Sequence, residues 1–273
     1  IKCISQSCPI LPLIEPQHSK KKNMKLQFVH VLIIILTLAR CTNDSQQKDP
    51  IPVHETFKMK SQQINEERTI NVWTPSNNPK NVDSLPVLYM ADGGIKEDFP
   101  HIANTLGKLI NENKIKPIIL VGIENTERRR DLTGFTEVAK DKEIAPIVGG
   151  SANFRAFIKE ELFPEINKRY RTSTNKSIIG ESASGLFVIE TFFLAPEMFD
   201  NYIAFDPSLW WNNHYLVRTA TEHLAKLPLT EKRIWFAGSN TEDIAPYTKQ
   251  LAEILKKENR PNLKWNYSDE PKE

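Results

Sequence analysis

Residues 178–187 read IIGESASGLF, two serines and two glycines set between a short apolar run and a longer one. Gly180, Glu181, Ser182 and Ala183 give the first four positions of a G-x-S-x-G nucleophile elbow. Ser184 stands where the second glycine belongs, and Gly185 follows one step later. Small residues flank the serine in such an elbow because it must occupy a strained turn between a strand and a helix. Serine is small enough for that place, so Ser182 qualifies as a nucleophile if a strand precedes it and a helix follows. The competing reading is a tight turn that needs small residues only for packing.

The flanking sequence supplies both elements. KSII (176–179) precedes the serine as an apolar strand and GLFVIETFFL (185–194) follows it as a helix. Upstream, HETFKMKS (54–61) and RTINVWTP (68–75) alternate polar and apolar residues, the pattern of half-buried strands, and are expected to form an antiparallel pair. LPVLYMADGG (85–94) and KPIILVGIEN (116–125) are continuous apolar runs, as in strands covered on both faces.

A helix is expected from about Asp98 to Asn111. A second begins near Ser151 and is bent or restarted by Pro164, with a long loop holding RRRDLTGF (128–135) before it. Further along come NYIAFDPS (201–208), a helix at 214–227, KRIWFAGSN (232–240), a helix at 246–258 and NLKWNYSDE (262–270). This order predicts an α/β fold, a mostly parallel sheet with helices on both faces.

The 273-residue chain has a formal charge of +2, but six basic residues and one acid precede residue 42. The remainder carries 30 basic and 33 acidic residues, a net −3, which removes the electrostatic case for nucleic-acid binding. The leader itself has an export grammar from Met24: Lys25, an apolar run from Phe28 to Ala39, then Leu38-Ala39-Arg40-Cys41, which resembles a lipobox except at Arg40. The run is short for a transmembrane helix.

The expected organisation is upstream sequence at 1–23, an export signal at 24–41 with Cys41 lipidated, a tether at 42–52 and one domain at 53–273. Localisation is expected to be exported, in the periplasm or at the outer membrane, with contact to the membrane only through the anchor. All three cysteines, Cys3, Cys8 and Cys41, lie in the leader, so the domain holds no disulfide, thiolate metal site or cysteine nucleophile. No metal or cofactor is expected.

PVLYMADGG, ILVGIEN followed by RRRDLTGF, FIKEELFPEINKRY, the stretch from IIGESASG to DPSLWW, and IWFAGSNTED occur in one order over about residues 55–270. Together they resemble the esterase family of α/β-hydrolases that includes siderophore esterases, S-formylglutathione hydrolase and feruloyl esterases. The resemblance implies a serine carboxylic-ester hydrolase acting on a small-molecule ester. Acyl transfer needs a nucleophile, a base, a carboxylate and oxyanion donors. Ser182 is the nucleophile and the N–H of Ala183 one donor. The resemblance places the second donor at Gly93 or Gly94, glycines that a strand-end turn also explains.

The triad acid falls after the seventh strand, at Asp243 first and Glu242 second, although a helix N-terminal charge before Pro246 is an alternative. Family order puts the histidine last, and none follows Asp243, so the catalytic histidine is expected beyond Glu273 in a longer chain. Trp210 and Trp211 fall beside the active-site mouth by resemblance, to contact an acyl or aromatic group or simply to pack. Arg128 reads as a rim for an anionic substrate or, preferably, as part of a solvated charge run. The competing functions are a noncatalytic binding lipoprotein for a siderophore or glycan conjugate, and an acyltransferase.

Overall fold

In the third strand the side chains alternate between two cores. Val87 and Tyr89 enter a large cluster, while Leu88 and Met90 enter a smaller one with Phe99, Ala103 and Ile110. A strand buried on both faces must be a central strand of a covered sheet, and this one is. The computed structural model describes residues 49–75 and 84–270, so the upstream sequence, the export signal with Cys41 and tether residues 42–48 lie outside the described residues.

Eight strands form one sheet: β1 (Glu55–Lys60), β2 (Glu67–Trp73), β3 (Leu85–Met90), β4 (Ile119–Ile123), β5 (Thr172–Glu181), β6 (Asn201–Phe205), β7 (Lys232–Ser239) and β8 (Leu263–Glu270). Their order is β1-β2-β4-β3-β5-β6-β7-β8. β1 pairs antiparallel with β2, β2 antiparallel with β4, and all other neighbours are parallel. The expected opening pair and α/β class are both present.

Helix α1 (Phe99–Asn111) covers β3 and β4 on one face. Helices on the other face contribute to the large cluster, among them α4 (Ser151–Ala156), α5 (Phe163–Arg169), α6 (Ala183–Leu194), α7 (Trp211–Arg218), α8 (Ala220–Ala225) and α9 (Ala245–Glu258). Every residue of α6 from Ser184 to Phe193 is buried, which is why its sequence is apolar on all sides.

Three details depart from the sequence reading. The expected loop before Ser151 contains two short helices, α2 (Arg128–Leu132) and α3 (Ala139–Ile144). Between α4 and α5 lies a π-helical turn, Phe157–Leu162. Pro164, in the first turn of α5, has no N–H to give to the carbonyl one turn back, so the ladder widens there instead of stopping. The helix expected at 214–227 is two helices, α7 and α8, divided at Thr219 (φ −102°, ψ 5°), and inside α7 Asn212, Asn213 and His214 take left-handed backbone angles (φ 50°, 51° and 47°).

The run Arg128–Asp131 is not a solvated face. Arg68 of β2 is fully buried, and its Nη2 donates to Asp131 and, at 3.0 Å, to Glu66. Arg130 donates to Glu66 at 2.5 Å and to Asp131 at 2.8 Å. Asp131 is 1% exposed. The residues reserved for the end of the tether also touch the body: His101 Nδ1 meets Asp49 at 2.8 Å and Asn104 donates to the Pro50 carbonyl at 2.7 Å.

Removing one member of a buried ion network leaves the other charge uncompensated, at a cost of about 3–5 kcal/mol. Asp131→Ala is therefore expected to lower the urea midpoint sharply, and a midpoint equal to wild type would show that Arg68 finds another partner. Glu66 contributes to the pH dependence of stability. The hydrogen bond from Arg130 outweighs burial and holds its carboxyl at about 2, down from 4.5. A depressed carboxylate stabilises the fold above its unfolded value, and that contribution is lost as pH falls from about 4.5 toward 2. Urea titrations across this window should show a shallower decline for Glu66→Gln than for wild type. Identical slopes would assign the acid sensitivity elsewhere.

Candidate active site

The carboxyl ends of β3, β5, β6 and β7 meet around Ser182. Ser182 has φ 57° and ψ −117° and caps the N-terminus of α6. Such angles cost a non-glycine residue energy of order 1–3 kcal/mol, so the neighbours must hold them. They do so through backbone bonds: Ser182 N–H to the Phe205 carbonyl (3.0 Å), and the N–H groups of Leu186 (2.8 Å) and Ser208 (3.1 Å) to the Ser182 carbonyl.

The turn is also tight. A Cβ on Gly180 would stand 2.3 Å from Ser184 Oγ, and one on Gly185 would stand 2.7 Å from the Phe205 carbonyl oxygen. Gly180 and Gly185 are thus fixed by close approach. Ser184 fits the usual glycine place with its hydroxyl buried and unpartnered among the described residues.

Ala183 is the first residue of α6, and its N–H has no carbonyl partner within the helix, as at every helix start. Gly93 and Gly94 lie in the loop after β3, where both N–H groups are already hydrogen-bonded. The N–H of Gly93 donates to the Ile123 carbonyl at 3.0 Å, and that of Gly94 to the Glu97 carboxylate at 2.7 Å. Either would have to give up that bond to serve as a second donor.

Glu242 and Asp243 lie in an exposed turn between β7 and α9, on the same edge of the sheet as Ser182. That turn is fixed by a residue the sequence reading passed over. Asp206, at the end of β6 with φ 40°, accepts the Ser239 N–H at 2.6 Å and so ties β7 to β6.

Arg128 does not point into open solvent. It grips Asp92 with two hydrogen bonds (2.5 and 2.8 Å) and reaches the Glu181 carbonyl at 3.5 Å. Asn125 donates to Asp92 at 2.6 Å and to Glu97 at 2.9 Å. Burial, then the nearby Asp92 charge, raises the Asp98 carboxyl above its ordinary range. With its guanidinium committed to Asp92, Arg128 braces the loop after β3 against the elbow.

Trp211 is nearly buried and donates its indole N–H to the Gly134 carbonyl at 3.1 Å; Trp210 packs half-buried beside it, ring centroids 5.8 Å apart. Ser208 was also missed by the sequence reading. Its Oγ lies 3.5 Å from Ser182 Oγ. Its sequence signal was its place in the DPSL turn immediately after β6.

The four described histidines are occupied elsewhere. His54 Nδ1 meets the Pro52 carbonyl, His101 meets Asp49, His214 stacks on Tyr247, and His223 stacks on Phe193, where burial lowers its pKa. No group of three or more potential metal ligands is assembled among the described residues.

Comparison with known proteins agrees with this architecture. Residues 61–269 match the family described as "Putative esterase". The ferri-bacillibactin esterase BesA of Bacillus subtilis is 30% identical over 206 residues, covering 70% of each chain. Among solved structures, an IroE-like serine hydrolase from Shewanella oneidensis superposes with a TM-score of 0.73 at 26% identity, covering 81% of this chain and 74% of its own. The BES protein from Bacillus cereus superposes with a TM-score of 0.72 at 25% identity, covering 83% and 92%. With a family match over most of its length and an eight-stranded, mostly parallel sheet, the chain belongs to this esterase family of the α/β-hydrolase fold.

Proposed function

We propose that the protein is a serine carboxylic-ester hydrolase in which Ser182 is the nucleophile. The observation that carries this reading is the strained turn of Ser182 between β5 and α6, with the N–H of Ala183 at the start of the helix beside it. In this mechanism Ser182 Oγ attacks the ester carbonyl carbon while a base takes its proton. The oxyanion draws on the Ala183 N–H, and collapse expels the alcohol and leaves an acyl-enzyme that water hydrolyses. Ser208, 3.5 Å from the attacking oxygen, holds the hydroxyl in place before attack. A carboxylate from the turn after β7, Asp243 first and Glu242 second, orients the base. The names of the relatives suggest the substrate class, an ester of a siderophore.

Ser182→Ala is expected to abolish hydrolysis of short p-nitrophenyl esters, by about a millionfold if nucleophile and base act as a unit. Activity within tenfold of wild type would remove Ser182 from the mechanism. Asp243→Asn should cost less than the serine change, and a larger loss in Glu242→Gln would move the acid by one residue. Replacing His54, His101, His214 and His223 together should leave turnover unchanged, because each has other contacts in the fold.

We further propose that the chain is exported and anchored through Cys41. This reading is supported by Lys25, the apolar run Phe28–Ala39 and the cysteine that follows. Expressed in a bacterium fed labelled palmitate, the protein should take up label, and Cys41→Ser should not. Equal labelling of the two would exclude Cys41 as the lipidated residue.

A further inference from the structure

The sheet ends in β8, LKWNYSDE (263–270). This strand pairs in register with β7 along its whole length and lies last in the strand order, so no strand covers its outer side among the described residues. An edge of this kind presents a row of N–H and C=O groups that can pair with another strand. Proline, a bulge or a short length commonly blunts such an edge. β8 has none of the three: its pairing with β7 is unbroken, it contains no proline, and its 8 residues exceed the usual length of about five to six. Charge is the remaining device, supplied by Lys264, Asp269 and Glu270. Charges repel a strand that matches them badly and admit one that matches them well.

Their placement decides which strand matches. Leu263, Trp265 and Tyr267 turn to the large cluster, while Lys264, Asn266, Ser268 and Glu270 turn to the opposite face. Asp269, on the cluster side, is already paired with Lys249 of α9 at 3.2 Å. Lys264 has no charged partner among the described residues. Glu270 accepts a hydrogen bond from the hydroxyl of Ser268, two residues away, and has no cation beside it among the described residues.

Two copies related by a two-fold axis normal to the sheet keep like faces together. Even-numbered residues of β8 can then stand opposite even ones only, and odd opposite odd. With Tyr267 on the axis, Lys264 of each copy stands opposite Glu270 of the other, Asn266 opposite Ser268, and Trp265 opposite Asp269. The neighbouring registers that parity allows lose the charge pair: one sets Leu263 opposite Asp269, the other Asn266 opposite Glu270. The strand at the other edge, β1, lacks this self-complementarity. Its one acid, Glu55, differs in parity from Lys58 and Lys60, so no same-face register sets it opposite either.

We propose that two copies of the chain join edge to edge by antiparallel pairing of β8 with β8, centred on Tyr267, with Lys264 and Glu270 forming two symmetric ion pairs across the seam. This inference is independent of the ester-hydrolase reading. The ladder supplies the backbone hydrogen bonds, and the charges set the register, because unlike charges directly opposite stabilise a strand pair and like charges destabilise it. An antiparallel seam turns the carboxyl edges of the two sheets in opposite directions. Each Ser182 elbow, on β5 three strands in from the seam, therefore opens away from its counterpart.

The test is sedimentation equilibrium of the full 273-residue chain over a range of concentrations, with circular dichroism to confirm that each variant is folded. Wild type is expected to show a monomer–dimer equilibrium. Lys264→Glu and Glu270→Lys each set like charges opposite one another twice per dimer, and each should weaken association about tenfold or more. The double variant Lys264→Glu/Glu270→Lys restores both pairs with their signs exchanged, and should dimerise within about threefold of wild type. An equimolar mixture of the two single variants should form heterodimers, since one copy then presents only acids at these positions and the other only lysines.

A chain that stays monomeric at every concentration would overturn the proposal. A dimer whose affinity neither single variant changes would overturn the β8 seam, since association through any other surface is indifferent to these charges. Loss in the single variants without recovery in either the double variant or the mixture would overturn the pairing of Lys264 with Glu270.

Discussion

Everything at the carboxyl edge of the sheet depends on one turn, the reversal at Ser182 from β5 into α6. Its positive φ is sustained because both flanks are packed too closely to relax. Gly180 lies against Ser184, and Gly185 lies against the backbone that leaves β6. The Ser182 N–H is bonded to Phe205 and its carbonyl receives Ser208, so β6 supports the turn from both sides. The hydroxyl is thereby presented at a helix N-terminus, with the Ala183 N–H beside it. A relaxed backbone at this point would move the hydroxyl away from that donor, and preorganisation is what gives such donors their value.

The elements were legible in the sequence where the local pattern and the tertiary environment demand the same thing. β3 and β4 read as buried strands because both faces are covered, and α6 reads as a buried helix because it is apolar all round. The tight turn at Ser182 was legible because Gly180 and Gly185 on either side of it meet close approaches that leave no room for a Cβ. The left-handed run at Asn212–His214 was not, because its cause is a carboxylate 71 residues away in sequence, Asp141. The braces Asp206 and Ser208 were hidden for a related reason. Each acts by a single contact across strands, and a single contact leaves no periodic trace.

The two glycines after β3 illustrate the limit of motif reasoning. DGG after β3 is a strand-end turn, and what decides whether its N–H groups can receive an oxyanion is where those groups already point. Gly93 faces the neighbouring strand and Gly94 faces Glu97. Both residues lie in the loop after β3. Their donors are spent on holding that loop to β4 and to the first turn after it.

The segment from Arg128 to Gly134 was misread for a geometric reason. Three consecutive arginines in an extended chain would share solvent, but in a helix successive side chains are turned about 100° apart, so neighbours in sequence meet different surroundings. In α2 this sends Arg128 to Asp92 at the end of β3, and Arg130 to Glu66 and Asp131 beside the buried Arg68. Farther on, the Gly134 carbonyl receives the Trp211 indole. One segment of the chain is therefore pinned to β2, to the loop after β3 and to α7. Ion pairs of this kind add little net stability against an apolar alternative, because desolvation offsets much of their attraction. What they supply instead is position: an apolar segment could slide against β2 and α7, whereas a guanidinium bonded at two points to a carboxylate has one register.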